Sequence, residues 1–420
     1  MNILLTWLIF MLLFLAIGYM LGARNRNAAR REDESSETPA IGADLLADFQ
    51  QRVMPVLAVA GHQTRAGAVL FEGKLRTDPQ SAISQLKRAF APEKFTPILE
   101  EGERSGQVKV ALLPGIGELA EPPSAAERPN WALHWLLFGL TLITTTWAGA
   151  LHAGVDLVKE PSRFAVGLSY SLGLMLILGA HELGHYFAAR KHGIRVTPPY
   201  FIPVPFALGT FGAFIKLKSL APDRRAAFDV AVAGPLAGLV FAIPALLIGL
   251  QHSRVVAGNQ TADMLHTGVQ VGSSFLLAFL AKIALGADTI QGHQLMLHPL
   301  AFAGWLGLFV TALNLLPVGQ LDGGHIAHAL FGSRRGHMIS VGALITLFAL
   351  ALFVWPGLMM WALIVWFIAG TRDVPALDDI TPLNPARRAL GWFAFLLLAA
   401  IMIPVPHALY PSFGIHCPYL

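Results

Sequence analysis

The feature that most limits how this chain can fold is a series of apolar segments about as long as a bilayer is thick. A transmembrane helix needs about 20 consecutive apolar residues, and such segments recur along the 420-residue sequence. Charged residues make up only 13% of the chain and hydrophobic residues 55%, whereas soluble domains carry about 25% charged residues. The sequence therefore predicts an α-helical polytopic membrane protein of about eight spans, with a small re-entrant β-hairpin and a small soluble α+β N-terminal domain.

Basic residues beside the apolar segments predict how the spans are oriented, because Lys and Arg favour the cytoplasmic side. Arginines follow the first apolar segment and do not precede it, so residues 1–23 are predicted to be a membrane anchor and 24–40 a linker. The next segment able to cross is expected to begin near residue 130. The later spans are expected at 130–154, 164–189, 227–250, 297–317, in two short pieces within 337–370 around Pro356-Gly357, and at 390–405. The segment 271–285 is ambiguous, and we interpret it as interfacial or partly inserted.

Residues 41–120 have the composition of a soluble, cytosolic α+β domain. Helical spacing at 45–59 is followed by a strand-like segment at 67–75. Asp78 and Pro79 are typical of a helix start, as N-cap and first-turn proline, and that helix is expected to end near Phe90. Alternation at 107–112 predicts a second strand. We expect a regulatory or docking role for this domain.

Charge and cysteine content exclude two classes of function. The net charge is +4, and the basic residues lie beside apolar segments without forming a nucleic-acid-binding face, so no nucleic-acid partner is expected. The single cysteine, Cys417, excludes intrachain disulfides and a thiolate zinc cluster.

The apolar segment 164–189 contains His181-Glu182-x-x-His185. On a helix, residues i and i+4 share a face, so the two histidines can hold one metal ion together. Glu182 lies beside them, where it can take a proton from a water molecule. Ionisable residues at bilayer depth indicate a functional site. The alternative is that the three side chains satisfy one another in a polar bundle interior.

A third ligand has to come from elsewhere, because zinc hydrolysis sites use three protein ligands and keep one position open. The candidate is Asp322, near the cytoplasmic end of the span at 297–317. Nearby Pro317, Gly319, Gly323 and Gly324 are expected to loosen the helix and let this carboxylate turn inward. The alternative is that Asp322 caps a helix that begins near Gly323.

Asn314 precedes this segment, and two roles for it stay open. Its amide can hydrogen-bond a substrate backbone or a developing oxyanion. It can equally serve helix–helix packing. His298 and His325 are expected to be structural or interfacial and not to be ligands.

The two motifs together resemble the site-2 protease family of intramembrane zinc metalloproteases. His181-Glu182-x-x-His185 in one span is followed by Asn314-x-x-Pro317-x-x-x-Leu321-Asp322-Gly323 in a later one. The likeness extends to Phe211-Gly212-Ala213-Phe214-Ile215 and Ala233-Gly234-Pro235-Leu236-Ala237-Gly238.

This resemblance implies an intramembrane metalloprotease core at 130–332, with further membrane spans at 333–420. It implies that His181, His185 and Asp322 bind one Zn²⁺ per chain and that Glu182 is the catalytic base. The implied partners are the lipid bilayer and a transmembrane protein substrate, such as a membrane-anchored regulator. We expect a multi-pass protein of a bacterial or archaeal plasma membrane, with the active site toward the cytoplasm.

A helical substrate has to unwind before its peptide bond can be reached, and the freed backbone groups are costly in an apolar setting. The strand-like segment 210–216 follows the histidine motif closely and could accept them by strand addition. Phe211, Gly212, Ala213 and Phe214 are therefore predicted to bind substrate. The alternative is a hairpin that only plugs the bundle.

Two other functions are compatible with the composition. One is a transporter that holds a metal ion at broken helices. The other is a catalytically silent relative that acts as a membrane chaperone, against which the intact Glu182 argues.

Overall fold

The computed structural model describes residues 42–65, 67–92, 95–102, 104, 106–114, 129–205, 207–257, 274–286, 293–353 and 358–403. The predicted anchor at 1–23, the linker at 24–40 and the break at Pro356-Gly357 lie outside these residues.

The N-terminal soluble domain is an antiparallel four-stranded sheet covered by two helices. Its strands lie in the order β1-β2-β4-β3, and Phe49, Phe71 and Phe90 are fully buried in its core. In chain order its elements are α1 (Ala43–Val53), β1 (Leu57–Arg65), β2 (Ala68–Leu75), α2 (Pro79–Phe90), β3 (Phe95–Glu101) and β4 (Val108–Pro114).

Helix α2 begins as the sequence predicts. The Ser81 amide donates to Asp78 Oδ2 at 2.9 Å, which caps the helix. That same amide hydrogen bond lowers the pKa of the exposed Asp78 carboxyl, because it favours the charged form.

Two predictions in this domain need correction. The helix expected at 45–59 ends at Val53, because Pro55 cannot supply the helical hydrogen bond, and strand β1 then begins at Leu57. Strand β3 has no counterpart in the prediction, because its Pro97 is a residue that argues against a strand.

The membrane part consists of nine described helices. They are α3 (Trp131–His152), α4 (Ala165–Lys191), α5 (Arg224–Gln251), α6 (Phe275–Leu285), α7 (Pro299–Asn314), α8 (Asp322–Phe331), α9 (Ser333–Phe353), α10 (Leu358–Ile368) and α11 (Pro385–Met402). Among the described residues, α4, α5, α9 and α11 are long and apolar enough to cross a membrane, and α6, α7 and α10 are shorter apolar helices. The chain is therefore an integral membrane protein, while the expected number of eight spans stays a prediction.

Two small hairpins accompany the helices. Strand β5 (Tyr200–Pro203) pairs with β6 (Thr210–Phe214), where a hairpin was predicted, and β7 (Arg254–Ala257) pairs with β8 (His293–Met296). Helix α6 lies in the ambiguous segment 271–285 and has 11 residues, about 16 Å, which is too short to cross a bilayer alone.

Helices α4, α5 and α7 form the centre of the membrane part, and small residues let them approach closely. A Cβ at Gly184 of α4 would lie 2.5 Å from the Ala233 carbonyl oxygen of α5, and one at Gly307 of α7 would lie 2.8 Å from Ile177 of α4. Such contacts are typical of helix packing in membranes. They hold the three helices that surround the site.

A segment near the C-terminus joins the soluble domain to the membrane part. The Leu99 amide of β3 donates to the Leu377 carbonyl, and the Asp379 amide donates back to the Leu99 carbonyl, both at 2.9 Å. On its other side this segment pairs with residues just before α5, where the Arg224 amide donates to the Asp378 carbonyl at 3.0 Å. Leu377 lies within the apolar core of the soluble domain. Residues 377–379 therefore act as a parallel strand added to the edge of its sheet.

Candidate metal centre

The metal centre starts from two histidines one helical turn apart on α4. His181 and His185 lie on the face of α4 that packs against α5, and both are buried, as is Glu182 between them. Their Nε2 atoms are 3.1 Å apart. Asp322 Oδ2 lies 3.5 Å from the His181 Nε2 and 3.4 Å from the His185 Nε2. The structure therefore brings the three predicted ligands together.

This triangle of donor atoms has the size that a tetrahedral zinc ion requires. Zinc–nitrogen and zinc–oxygen distances of about 2.0–2.2 Å place two tetrahedral ligand atoms about 3.3–3.5 Å apart. The three observed separations, 3.1, 3.4 and 3.5 Å, lie close to that value. Two imidazole nitrogens and one carboxylate oxygen are also a donor set that zinc accepts, and three protein ligands leave a fourth position open.

Asp322 is a residue of the helix and not its cap. Helix α8 begins at Asp322, and its N-cap residue is Leu321, which makes no side-chain capping bond. The Asp322 carboxylate is therefore free to face the histidines, and the capping alternative does not hold.

The glycines near Asp322 shape the connection between α7 and α8. The helix is interrupted where loosening was expected, since α7 ends at Asn314 and residues 315–321, which include Pro317 and Gly319, are not helical. Gly323 and Gly324 lie in the first turn of α8. A Cβ at Gly323 would lie 1.9 Å from the Leu315 carbonyl oxygen, and one at Gly324 would lie 2.1 Å from that of Gly319. These glycines let the connection from α7 pack directly against the first turn of α8, which brings Asp322 to the depth of the histidines.

Helix α5 orients His185. The His185 Nδ1 lies 2.8 Å from the Val230 carbonyl oxygen, so Nδ1–H donates there and the Nε2 lone pair faces Asp322. Such a backbone partner fixes the tautomer of a ligand histidine. Gly234 makes room for the ring, because a Cβ there would lie 2.1 Å from the His185 Nε2. The glycine segment that contains Gly234 was the available sequence signal for this contact. The backbone carbonyl of Val230 leaves no signal in the sequence.

Glu182 lies close both to the hairpin and to His185 and Asp322. Its carboxylate is directed at the backbone amide of Ile215, the residue after β6. Among the described residues, no hydrogen bond joins Glu182 to either histidine. Glu182 therefore lies between the donor triangle and the strand, and the alternative of a polar trio that satisfies itself stays open.

The hairpin is fastened to the neighbouring helices by three side chains. The Thr144 hydroxyl donates to the Gly209 carbonyl at 2.7 Å, and the Tyr170 hydroxyl donates to the Leu208 carbonyl at 2.9 Å. The His134 Nδ1 lies 3.0 Å from the Pro199 carbonyl oxygen. None of these three side chains was singled out from the sequence, because threonine, tyrosine and histidine in an apolar helix have no fixed spacing to a hairpin.

The predicted substrate-binding residues lie on or next to β6. Phe211 and Phe214 are 70% and 47% exposed, and Ala213 packs against the apolar cluster below the hairpin. Gly212 has φ +97°, with open space where a Cβ would be, and its amide donates to the Thr210 hydroxyl at 2.9 Å. Their role in binding substrate stays a prediction.

Asn314 is the last residue of α7 and lies at the metal centre. Its Nδ2 is 3.2 Å from the His181 Nε2, which is neither of the two contacts considered from the sequence. It lies within reach of any molecule that approaches the donor triangle.

Comparison with known proteins agrees with this site. The sequence pattern described as Peptidase family M50 matches residues 169–355, which include both histidines, Glu182, Asn314 and Asp322. This part of the chain therefore carries the pattern of peptidase family M50.

Three proteins that are similar to this chain carry names of the same kind. "Probable zinc metalloprotease EGY1, chloroplastic" of Arabidopsis thaliana is 36% identical over 263 residues, covering 60% of this chain and 45% of the relative. The EGY2 protein of the same plant is 28% identical over 392 residues, covering 90% and 67%. The EGY3 protein of Oryza sativa subsp. japonica is 29% identical over 256 residues, covering 59% and 44%.

The chain thus spans about half of the length of two of these relatives and two thirds of the third. No solved structure matches it. The expectation of a bacterial or archaeal plasma membrane has no support here, because the relatives are plant proteins whose names place them in chloroplasts.

Proposed function

We propose that this chain is an intramembrane zinc metalloprotease that hydrolyses peptide bonds within or near transmembrane helices of membrane-protein substrates. The observation that carries this is the donor triangle of His181, His185 and Asp322, with edges of 3.1 to 3.5 Å, beside a buried glutamate that bonds to neither histidine. The M50 pattern and the names of the relatives support the same activity.

His181, His185 and Asp322 would hold the zinc ion. When bound there, zinc supplies a Lewis acid that polarises the scissile carbonyl and makes water acidic enough to attack near neutral pH. The Val230 carbonyl keeps His185 in the tautomer that presents Nε2.

Glu182 is the group that moves protons. It accepts the proton of the attacking water and delivers it to the leaving nitrogen of the cleaved bond. Its position next to the Ile215 amide brings it beside the strand on which we propose the substrate backbone to lie. Asn314, close to His181, is placed to donate a hydrogen bond to the oxyanion that develops on the substrate.

The substrate-binding element is proposed to be the free edge of β6. An unwound substrate segment pairs with that edge, so that its amide and carbonyl groups are satisfied while its side chains contact Phe211 and Phe214. The substrate is a transmembrane protein in the same bilayer, such as a membrane-anchored regulator, and cleavage occurs toward the cytoplasmic side.

The first prediction separates ligands from base. Purified protein should hold about one zinc ion per chain, as measured by elemental analysis. His181→Ala, His185→Ala and Asp322→Asn should each lose most of it. Glu182→Gln should keep the metal and lower cleavage of a transmembrane substrate by about 100-fold or more.

Two results would contradict this assignment. Zinc content unchanged in Asp322→Asn would remove Asp322 from the ligand set. Full cleavage by Glu182→Gln would mean that Glu182 is not the base. Zinc binding without cleavage by the wild type would leave a metal-carrying transporter or a membrane chaperone as the better function. Membrane proteins that accumulate in cells carrying Glu182→Gln would identify the substrates.

A further inference from the structure

A second cluster of buried charges lies outside the metal centre, at the junction of the soluble domain and the membrane part. Asp379 Oδ2 lies 2.7 Å from the His328 Nε2 of helix α8. Arg224, the first residue of α5, contacts both the Asp379 side chain, at 3.4 Å, and its backbone carbonyl. The Arg224 and Asp379 side chains are only 7% and 2% exposed.

The same helix is bound by a second carboxylate. Asp373 Oδ1 lies 2.5 Å from the His325 Nδ1, and its Oδ2 lies 3.4 Å from the His328 Nδ1. Burial alone raises the pKa of the Asp373 carboxyl, but the two histidines outweigh burial and hold that pKa below its usual value. The carboxylates of Asp373 and Asp379 therefore bind two histidines on one face of α8.

Helix α8 also touches the soluble domain directly. Its C-terminal end closes at Gly332, which has φ +84°, and a Cβ there would lie 2.5 Å from the Glu101 Oε1 of β3. Glu101 in turn accepts a hydrogen bond from the Arg224 Nη2 at 2.9 Å. One carboxylate of the soluble domain therefore contacts both the end of α8 and the arginine that fixes Asp379.

These contacts matter because α8 is short and has a ligand at its other end. It has ten residues, about 15 Å, with Asp322 as its first residue. A cavity of about 400 Å³ lined by Glu100, Gly324, His328 and Asp373 lies beside it. Apolar packing of Ile326 and Ala329 against Phe228 holds one side of α8. On the side of this cavity, the contacts of His325 and His328 with Asp373 and Asp379 hold the helix. A small rotation at the Gly332 end would move the Asp322 carboxylate relative to the histidines.

We propose that Asp379 and His328 are positioning residues for Asp322, and that the soluble domain, through Glu101 and Arg224, holds α8 in the orientation that completes the metal centre. The domain is then part of the proteolytic unit. A partner that moves β3 away from α8 would weaken zinc binding by His181, His185 and Asp322. This inference rests on the metalloprotease function proposed above.

The test uses the full-length, zinc-loaded protein and the rate at which it loses zinc to a chelator. Glu101→Gln keeps the shape of a 45% exposed side chain and removes its charge, so the protein should fold. We expect zinc loss about three-fold faster than in the wild type, with kcat lowered and KM unchanged. His328→Gln, which acts on α8 itself, should accelerate zinc loss by about ten-fold or more.

The matched control is Glu160→Gln. Glu160 is 53% exposed and contacts Arg163 at 3.0 Å. The substitution therefore removes a comparable glutamate–arginine pair at a site that does not contact α8. It should lose zinc at the wild-type rate. Thermal unfolding of all variants is measured in parallel, because a merely structural contact would lower the melting temperature without changing zinc loss from the folded protein.

The outcomes separate this inference from the proposed function. If the wild type holds zinc and cleaves, while Glu101→Gln and His328→Gln lose zinc at the rate of Glu160→Gln, the positioning role is wrong and the protease assignment stands. If the wild type holds no zinc and cleaves no substrate, the proposed function itself fails.

Discussion

At the scale of single residues, the metal centre depends on positions that lack a side chain. The His185 ring occupies the space that a Cβ of Gly234 would fill, at 2.1 Å, and His181 lies 3.3 Å from the position of a Cβ at Gly238. Gly234 and Gly238 are one turn apart on α5, as His181 and His185 are on α4. The two histidines therefore lie against a groove of α5 that only glycine provides.

This groove makes a graded prediction. Gly234→Ala should displace the His185 ring, because the new methyl group would overlap with it. We expect zinc binding to weaken by about ten-fold or more. Gly238→Ala should have a smaller effect, since its Cβ would lie 3.3 Å from the His181 side chain and would not overlap with it. Zinc affinity of the purified variants, from competition with a chelator, measures both.

The matched control is Gly342→Ala in α9. Nothing lies within 4 Å of the position of its Cβ, so zinc affinity should equal that of the wild type. Wild-type affinity in Gly234→Ala would mean that His185 does not need its present position to bind zinc.

At the scale of elements, the two edges of β6 have different partners. Lys216 faces the side of β5, since the Thr197 amide donates to the Lys216 carbonyl and the Lys216 amide donates to the Thr197 hydroxyl, both at 3.0 Å. Because alternate residues of a strand turn their amides to opposite edges, Ala213 and Ile215 face the other way. The Ile215 amide is directed at Glu182, so the free edge of the hairpin is the one beside the metal centre.

That parity makes Ala213 the residue at which to test strand addition. Ala213→Pro removes an amide hydrogen from the free edge, and it should lower cleavage by about 100-fold while zinc content and thermal stability persist. Ala213→Ser is the matched control, because it keeps the amide, and it should cleave normally. Normal turnover by a folded Ala213→Pro protein would favour a hairpin that only plugs the bundle, without affecting the ligand assignment.

The elements that could be predicted from the sequence are those with local signals. Asp78-Pro79 marks the start of α2, and His181-Glu182-x-x-His185 needs only helical spacing to bring its residues together. The pairing of Asp322 with them came from the combination of two motifs. The segment that contains Gly234 was noted in the sequence as part of the resemblance. The sequence did not show that Gly234 makes room for the His185 ring.

What escaped prediction depends on contacts between distant parts of the chain. Residues 377–379 carry no strand pattern of their own, and they become a strand only because β3 and the start of α5 supply hydrogen bonds on both sides. Glu101 and His328 are ordinary charged residues in sequence. Their pairing through Arg224 and Asp379 follows from tertiary structure alone.

At the scale of the whole molecule, these contacts constrain which parts share a side of the membrane. Glu101 of the soluble domain touches Arg224 at the start of α5 and Gly332 at the end of α8. All three must therefore lie on one side, which the basic residues predict to be cytoplasmic.

Single-cysteine labelling in a Cys417→Ser background tests this orientation. Arg195→Cys and Ser333→Cys should react with a membrane-impermeant reagent only from the cytoplasmic side, and Asn259→Cys only from the opposite side. Labelling of Ser333→Cys from the opposite side would mean that the segment 271–285 crosses the membrane.

The strand at 377–379 also sets an order of events during synthesis. The ribosome makes β3 long before it makes Leu377, and at about 5–20 residues per second the interval is tens of seconds. Throughout that time the soluble domain has an open sheet edge and lacks the leucine that belongs in its core. The helices from α3 to α10 are made in that interval. The domain that emerges first is thus among the last parts to be finished, and until then its β3 edge is open to chaperones or to another strand.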